Sequence, residues 1–371
     1  MHRHRILLTA LLGLFALTLG AQDVHYTLHN YSPLWLNPAN TGSFSGSIRV
    51  GGIYRGQWYS LNGINSPSAY ADAPLAFGLR KQDWVGVGFS LVTDRAGDFE
   101  ISSNFFGFSG AYHFALDKKR ENVLTFGAQY GSTSYGITVE GIPLQQLNIG
   151  TEFGGLGQDG ESEFDETIMP GPGGPGGNNN NNDNYNSLNA GVKLRLLLDD
   201  KKANLFEGGV SLANINSPRR LSQLMMVSQD TTMMSDERGG TNSTDSRRRR
   251  PTLHAHARLD LEMSEKWRFQ PTAFFQAANG TSSVSLQAWG SRNLKKDLDL
   301  RLGLGYRTAD AAKVMVGIDA GQLRGALAYD ITLSQARNVT SYQGAFELGL
   351  AYVFNIYKKP EVKKTILCPD I

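Results

Sequence analysis

The chain has 371 residues, and its 36 Lys and Arg nearly balance its 34 Asp and Glu, which leaves a formal net charge of +2. This balance gives no basis for nucleic-acid binding, because such surfaces carry a marked excess of basic residues. The only cysteine is Cys368. A single cysteine excludes an internal disulfide and a cysteine-based metal site.

The amino terminus has the three parts of an export signal. Arg3 and Arg5 form a positive start, residues 6–19 form an apolar core, and Leu19-Gly20-Ala21 ends in a small-residue cleavage site. The core, at about fourteen residues, is shorter than the roughly twenty of a spanning helix. We therefore predict that residues 1–21 are a cleaved signal peptide. No later segment is long and apolar enough for a spanning helix, so any membrane residence must come from strands.

Apolar residues recur at every second position in many stretches from Ile48 to Phe354, and two is the period of a β-strand. In residues 298–306, for example, leucines alternate with charge or glycine, as at Arg301 and Gly303. The pattern predicts strands at 46–59, 66–78, 83–94, 99–115, 121–137, 185–198, 203–215, 251–263, 266–277, 282–292, 297–307, 312–320, 322–334 and 343–356.

A soluble sandwich also has one apolar and one polar sheet face. Its strands, however, average roughly five or six residues, whereas most of these are about ten to fourteen long, as tilted membrane-spanning strands require. Glycines within strands, such as Gly86 and Gly303, are rare in soluble sheets and ease the curvature of a barrel. The predicted fold class is all-β: a transmembrane antiparallel β-barrel of about 14 strands at 46–357, in the outer membrane of a Gram-negative cell.

The connections between the predicted strands support this interpretation. The two long insertions, at about 138–184 and 216–250, follow the fifth and seventh strands and so lie on one side of the membrane. The connections of the other parity are short and charged. Outer-membrane barrels have long loops outside and short turns in the periplasm, so we expect both insertions to be extracellular and the tail at 358–371 to be periplasmic.

Both insertions have unusual compositions. The first contains a Gly-Pro tract and a run of Asn at 178–182, which lack the apolar area that an ordered core needs, so we expect disorder there. The second ends in four arginines at 247–250. Two interpretations of these arginines stay open: contact with lipopolysaccharide phosphates or an acidic partner, and an ordinary solvated loop.

Aromatic residues at strand ends are typical of the interface girdles of such barrels. The residues in these positions are Tyr54, Trp58, Trp84, Trp267, Tyr306 and Tyr357. We expect them to lie on the outer face.

Arg55 and Gln57 share a strand face opposite Tyr54 and Trp58, so we expect the polar pair to point into the barrel. A confined arginine without a partner is costly. The candidate carboxylates are Asp299, Asp319, Asp330 and Glu347.

The segment at 22–45 precedes the first predicted strand. Pro33 and Pro38 disfavour helix at Ser32 and Asn37, the residues before them, so we expect an extended segment that does not join the sheet. Three interpretations stay open: a plug inside the lumen, a docking element beneath the barrel, and a leader that closes the first strand.

The chain resembles a known family in several motifs near its two ends. These are QDVHY at 22–26, NYSPLWLNPANTG at 30–42, RGQW at 55–58, YDI at 329–331, GAFEL at 344–348, YVF at 352–354 and CP at 368–369. They are similar to those of the PorP/SprF family of type IX secretion outer-membrane proteins.

The resemblance implies an integral outer-membrane protein of the Bacteroidota lineage that acts with the type IX secretion machinery. Its implied partners are the surrounding lipid, the periplasmic ring components of that machinery, and a secreted or surface-anchored cargo such as a large adhesin. It implies no cofactor, no metal and no reaction. We predict that partner binding involves the motif residues Asn37, Pro38, Ala39, Arg55, Gln57 and Trp58.

Other functions are possible for a barrel. The pair His254 and His256 shares one strand face and has the geometry for metal ligation, but no G-x-S-x-G, H-E-x-x-H or phosphate-loop motif occurs. We therefore predict that the protein is not an enzyme. A channel for small molecules is the alternative function, because about fourteen strands are enough to enclose an open lumen. A sealed structural anchor is a third.

Overall fold

The computed structural model describes residues 25–58, 63–75, 78–96, 101–137, 183–199, 202–218, 249–278, 281–334, 337, 340 and 342–356. These residues form one antiparallel sheet. Its strands are β1 (Ile48–Gln57), β2 (Ile64–Asn65), β3 (Ser68–Leu75), β4 (Trp84–Ala96), β5 (Ile101–Ala115), β6 (Val123–Ile137), β7 (Asp183–Asp199), β8 (Asn204–Ala213), β9 (Thr252–Ser264), β10 (Trp267–Ala278), β11 (Thr281–Lys295), β12 (Leu298–Arg307), β13 (Ala311–Ala320), β14 (Leu323–Thr332) and β15 (Ala345–Phe354).

The sheet closes on itself because β1 pairs with β15 as well as with β2 and β3. The pieces β2 and β3 both lie between β1 and β4, so they are two parts of one barrel strand that is interrupted at Ser66 and Pro67. The result is a closed barrel of 14 strands with each strand paired to its neighbours in sequence. The predicted fold class is confirmed. The predicted signal peptide, the middle of both insertions and the tail lie outside the described residues.

The alternation of apolar and polar residues separates the two faces of the barrel. On β12, Leu302 is 60% exposed and Leu304 is 66% exposed on the outer face, whereas Arg307 points inward and is buried. The same outward row of large apolar side chains continues on the other strands, for example at Phe108 on β5 and Leu350 on β15. An apolar outer face of this kind is typical of outer-membrane barrels.

The two ends of the barrel differ in their connections. At one end, called the turn end, residues 265–266, 296–297 and 321–322 join successive strands in two-residue turns. Asp297 and Gly321 have φ of 62° and 60° in these turns, as tight hairpins require. At the opposite end, called the loop end, β6 ends and β7 begins, and β8 ends and β9 begins. The predicted parity of short and long connections is confirmed.

The segment before β1 is not extended. It contains a 3-10 turn at His29–Tyr31, a short α-helix, α1, at Pro33–Leu36 and a second 3-10 turn at Pro38–Asn40. Each proline occupies the first position of its helical turn, where the missing N–H costs nothing. Asn37, before Pro38, keeps the extended φ of −162°. The expectation of an extended segment was therefore wrong at 29–40, although the residue before Pro38 follows it.

Within the described residues, no helix has the length and apolarity that a membrane crossing requires.

Three of the predicted girdle aromatics, Tyr54, Trp267 and Tyr306, are exposed on the outer face. Trp84 was predicted wrongly. Its ring stacks on the inward-facing His113 at 4.5 Å, and its Nε1 donates a hydrogen bond to the carbonyl of Gly42 at 3.0 Å. The position at a strand end was correct, but the side chain belongs to the lumen. Tyr357 lies outside the described residues.

The outward position of Leu302 generates a test of the lipid-facing surface. We expect Leu302→Arg to lower the free energy of unfolding by about 2–4 kcal/mol, because a cation is placed near the middle of the hydrocarbon-facing band. Urea unfolding in phospholipid vesicles, followed by tryptophan fluorescence, measures this change. Leu302→Ala, which removes apolar area without adding charge, is the control and should cost less. Equal unfolding midpoints for the two variants would contradict the assignment.

Candidate functional site

Residues 25–47, called the lumenal segment, run through the inside of the barrel from the loop end to the turn end. At the loop end, a ring nitrogen of His25 lies 3.0 Å from the hydroxyl of Ser283, near the start of β11. At the turn end, the N–H of Ser47 donates to the carbonyl of Phe354, the last residue of β15. The segment therefore spans the height of the barrel.

The lumenal segment is buried against the wall although it is not part of the sheet. Tyr26, Thr27, Leu34, Asn37 and Thr41 are each at most 1% exposed. Residues 26–42 contain no Asp, Glu, Lys or Arg. The charges inside the barrel therefore belong to the wall, and the segment meets them with main-chain groups, hydroxyls and amides.

At the loop end, Glu347 of β15 binds the main chain of the segment. Its two carboxylate oxygens accept hydrogen bonds from the N–H of Thr27 at 2.8 Å and of Leu28 at 2.7 Å. The hydroxyl of Thr27 donates to Asp330 of β14 at 2.6 Å. Arg55 of β1 contacts both carboxylates, Glu347 at 2.5 Å and Asp330 at 3.0 Å. These bonds join β1, β14 and β15 to the segment.

Two more cations complete what we call the loop-end cluster, which consists of Arg55, Arg307, Lys313, Asp330 and Glu347. Arg307 lies 2.9 Å from Asp330, and Lys313 donates to the hydroxyl of Ser285 at 2.7 Å. All five side chains of the cluster are buried. Buried charges are tolerated only when paired and hydrogen-bonded, so this cluster depends on the segment for part of its bonding.

The prediction that Arg55 points inward and has a carboxylate partner is confirmed, with Asp330 and Glu347 as the partners. The other two candidates lie at the turn end. Asp299 accepts a hydrogen bond from Asn293 at 2.8 Å, and Asp319 lies 3.5 Å from Arg301.

In the middle of the lumen, the segment lies against glycines of the wall. A Cβ atom on Gly127 of β6 would lie 2.6 Å from the Cα of Ala39, and one on Gly191 of β7 would lie 2.9 Å from Asn37 Cγ. Only glycine allows this close approach. Asn37 Nδ2 donates to the carbonyl of Val192 at 3.2 Å, and its Oδ1 accepts from the N–H of Ala39 at 2.9 Å. Asn37 thus fixes the turn and joins it to the wall.

At the turn end, the main chain of the segment again binds wall side chains. The N–H of Gly42 donates to Asp72 at 2.7 Å, and Asp72 also pairs with Arg49 at 2.7 Å. The carbonyl of Thr41 accepts from His113 Nε2 at 2.8 Å, because a carbonyl can only accept. Gly42 has a φ of 69°, which favours glycine at this bend.

Aromatic rings support the segment against β9 and β10. The ring of His29 stacks on Phe274 at 5.1 Å, and the ring of Trp35 lies 5.0 Å from His254. His29 is 1% exposed, and burial favours the neutral form of an imidazole. The lumenal segment therefore presents no charged side chain to the wall along residues 26–42.

The six predicted partner-binding residues fall into two groups. Asn37, Pro38 and Ala39 are buried against the wall in the middle of the lumen. Arg55, Gln57 and Trp58 lie at the loop end of β1, where Gln57 accepts a hydrogen bond from Arg55 at 3.1 Å. The N–H of Trp58 donates to the carbonyl of Gly344 at 3.2 Å. Partner binding by these residues stays a prediction.

Sequence reasoning missed most of the wall residues that bind the segment, including Asp72, His113, Ser211 and Gln287. Inward glycines in adjacent strands were a usable signal, because Gly86, Gly127 and Gly191 all lie beneath the segment. The pair His254 and His256 shares one strand face as predicted, and this face points inward. Across the part of the chain that the structure describes, there is no group of three or more His, Cys, Asp or Glu with the arrangement of a metal site.

Comparison with known families gives one match over nearly the whole chain. The family profile described as type IX secretion system membrane protein PorP/SprF matches residues 18–352. The match includes the lumenal segment and all strands but the last residues of β15. No curated protein sequence matches the chain.

Among solved structures, the chain is similar to outer-membrane channels at low identity. The toluene transporter TodX of P. putida is 12% identical, with a TM-score of 0.45 over 86% of this chain and 93% of that chain. The monoaromatic hydrocarbon channel CymD is 9% identical, with a TM-score of 0.46 over 91% and 95%. A FadL homologue of Pseudomonas aeruginosa is 10% identical, with a TM-score of 0.42 over 86% and 93%. These similarities support no statement about what this chain binds.

The glycine wall beneath the segment generates a prediction. We expect Gly127→Ala to displace residues 38–39 and to destabilise the protein by about 1–3 kcal/mol, because the added methyl group overpacks the contact with Ala39. Hydrogen exchange of the lumenal segment should become faster while that of the strands is unchanged.

The control for this variant is Gly110→Ala on the neighbouring β5. A Cβ atom there would be 3.9 Å from the nearest neighbour, so its exchange should match the parent protein. Unchanged exchange in Gly127→Ala would contradict the packing described.

The loop-end cluster generates a second prediction. We expect Glu347→Gln to destabilise the folded barrel by about 3–5 kcal/mol, because it leaves Arg55 incompletely paired in a buried site. Chymotrypsin cleavage at Tyr26, Tyr31 and Trp35 should become faster as the segment loosens.

Asp319→Asn is the matched control, since the side chain of Asp319 is 22% exposed and lies 3.5 Å from its partner Arg301. Its expected cost is about 0–1 kcal/mol. If chymotrypsin cleaves the segment at the same rate in both variants, the role assigned to Glu347 is incorrect.

Proposed function

Because the chain belongs to the PorP/SprF family of type IX secretion system membrane proteins, we propose that it supports the secretion or surface attachment of partner proteins such as large adhesins. The chain is an outer-membrane protein with a closed barrel of 14 strands. In the proposed role it acts with the periplasmic ring components of the secretion machinery and performs no chemical step.

The observation that carries this proposal, beyond the family, is the filled lumen. The lumenal segment contacts wall residues on strands all round the barrel. Examples are its hydrogen bonds with β3, β8, β11 and β15. A barrel whose interior is occupied along its height is suited to anchor or present a protein. Free diffusion of solutes requires a continuous open path, and in this proposal the segment narrows that path.

In this proposal, the buried motif residues Asn37, Pro38 and Ala39 act by holding the segment in the lumen. A partner can contact these three residues directly only if the segment moves out of its position in the lumen. Gln57 and Trp58 are only half-buried at the loop end, so they are the motif residues that a surface partner reaches first.

A small-molecule channel is the second candidate function, and one observation favours it. The lumen near the turn end is polar and open to water, since the side chains of Arg195, Arg268 and Arg324 are 38%, 49% and 62% exposed. A channel requires the segment to move, so that this polar space becomes continuous with the loop end.

Deletion of the gene and comparison of surface and culture-fluid proteomes test the proposal. We expect one or a few large surface proteins to disappear from the cell surface and to return when the wild-type gene is restored. Loss of every protein that carries a type IX sorting domain would instead indicate a core part of the machinery. An unchanged proteome, with ion conductance of the purified protein in planar bilayers, would contradict the proposal and favour the channel.

A further inference from the structure

The wall of the lumen binds the main chain of the lumenal segment at many points. Among the described residues, seven wall side chains bond to backbone N–H or C=O groups of residues 27–42. These side chains are Arg49, Asp72, Trp84, His113, Ser211, Gln287 and Glu347. Backbone groups are the same in every polypeptide, so these contacts do not by themselves specify the sequence of the ligand.

The bonds at Thr27 show how complete this main-chain recognition is. Its N–H donates to Glu347 at 2.8 Å, and its carbonyl accepts from Gln287 Nε2 at 2.7 Å. At the other end of the segment, the N–H of Gly42 donates to Asp72 at 2.7 Å and its carbonyl accepts from Trp84 at 3.0 Å. Both ends of the peptide are therefore held by a donor and an acceptor of the wall.

The wall glycines make room for the segment. Gly86, Gly127, Gly191 and Gly349 have no side chain where the segment lies, and a Cβ atom on any of them would overlap it. At Gly86 and Gly127 the overlapping group is the main chain of the segment, whereas at Gly191 and Gly349 it is the side chain of Asn37 and of Tyr31. The glycines therefore accommodate the main chain of the segment and two of its side chains.

The side chains of the segment also contact the wall. Tyr26, Leu28 and Tyr31 pack in a buried apolar cluster with wall residues that include Ile53 and Trp289, and other contacts use small polar groups. The hydroxyl of Ser32 lies 2.9 Å from that of Ser68, and the hydroxyl of Thr41 lies 2.9 Å from that of Ser109. Together these contacts suit a turn-forming segment with aromatic, Ser, Thr and Asn side chains. The segment that the lumen holds carries no Asp, Glu, Lys or Arg at residues 26–42, so an uncharged ligand matches the one observed.

We propose that the lumen is a peptide-binding site that takes an uncharged segment of a partner polypeptide in exchange for residues 25–42 of its own chain. The identity of that partner, a secreted or surface-attached protein, rests on the proposed function. The chain's own segment is a competitor with a high effective concentration, since it is covalently tethered. A partner segment therefore binds strongly only when it too is tethered close to the barrel.

The test weakens the chain's own segment without changing the wall. Thr27→Pro removes the N–H that Glu347 accepts and the hydroxyl that Asp330 accepts. Thr27→Ser, which keeps both groups, is the matched control. The probe is a synthetic peptide of residues 25–43 with a fluorophore at its carboxyl end, and its anisotropy is measured with the purified full-length proteins in detergent.

We expect Thr27→Pro to bind the probe at least about tenfold more tightly than Thr27→Ser. In Thr27→Pro the chain's own segment, which is the tethered competitor, binds the wall less well. Glu347→Gln in the Thr27→Pro background should reverse this gain, because the wall loses one of two acceptor oxygens and the negative charge that strengthens both bonds. A probe with N-methyl groups at Leu28 and Gly42 should bind about tenfold more weakly, since two charge-assisted hydrogen bonds are lost. Equal binding by Thr27→Pro and Thr27→Ser would overturn the proposal.

A second probe separates recognition of the main chain from recognition of sequence. It carries Ser32→Ala and Thr41→Val, which remove two side-chain contacts and keep every main-chain group. We expect it to bind within about threefold of the first probe. Loss of its binding, with tolerance of the N-methyl groups, would show a site specific to the chain's own segment and would overturn exchange with a partner.

The outcomes are independent of those for the proposed function. Failure of probe binding, together with loss of surface proteins on gene deletion, overturns the peptide site and leaves the secretion role. Probe binding with an unchanged proteome supports the peptide site. It overturns the proposal that the exchanged segment comes from a secreted partner.

Discussion

A polypeptide inside a closed barrel has backbone N–H and C=O groups that no strand can pair, because every strand already has two neighbours. Burial of such groups without partners is costly. The wall meets this demand with side chains, most directly through Glu347, which accepts from two successive N–H groups. The polar character of the lumen, the glycines beneath the segment and the buried charges at the loop end all depend on this requirement.

The two ends of the lumen treat charge differently. At the loop end, Arg55 and Asp330 are 3.0 Å apart with side chains at most 5% exposed. At the turn end, Arg324 and Asp319 are 3.8 Å apart, and their side chains are 62% and 22% exposed. Buried pairs are sensitive to loss of one member, whereas exposed pairs contribute little. The pair that binds the segment at the turn end, Arg49 and Asp72, is buried like those of the loop end, with side chains 15% and 0% exposed. The exposed charges of the turn end are therefore the ones that do not hold the segment.

Most of the barrel was predictable because its determinants are local. A period of two identifies both the strands and the face on which each residue lies, so the outward Leu302 and the inward Arg55 followed from the sequence. The parity of the connections followed from counting strands. The partners of Arg55 were narrowed to four carboxylates, and the pairing of β1 with β15, which sets Arg55 opposite Glu347, selected between them. Trp84 was assigned to the wrong face because a position at a strand end does not show whether a side chain points into or out of the barrel.

The sequence by itself determined the barrel, its faces and its family, since strand period, turn residues and motifs are properties of short stretches. Only the tertiary structure decided where residues 25–47 lie and what they bind. The bond between Thr27 and Glu347 joins residues 320 positions apart, and Asn37 meets Val192 across 155 positions. No periodic pattern encodes such contacts. They exist because barrel closure brings β1 beside β15 and encloses the space that the segment fills.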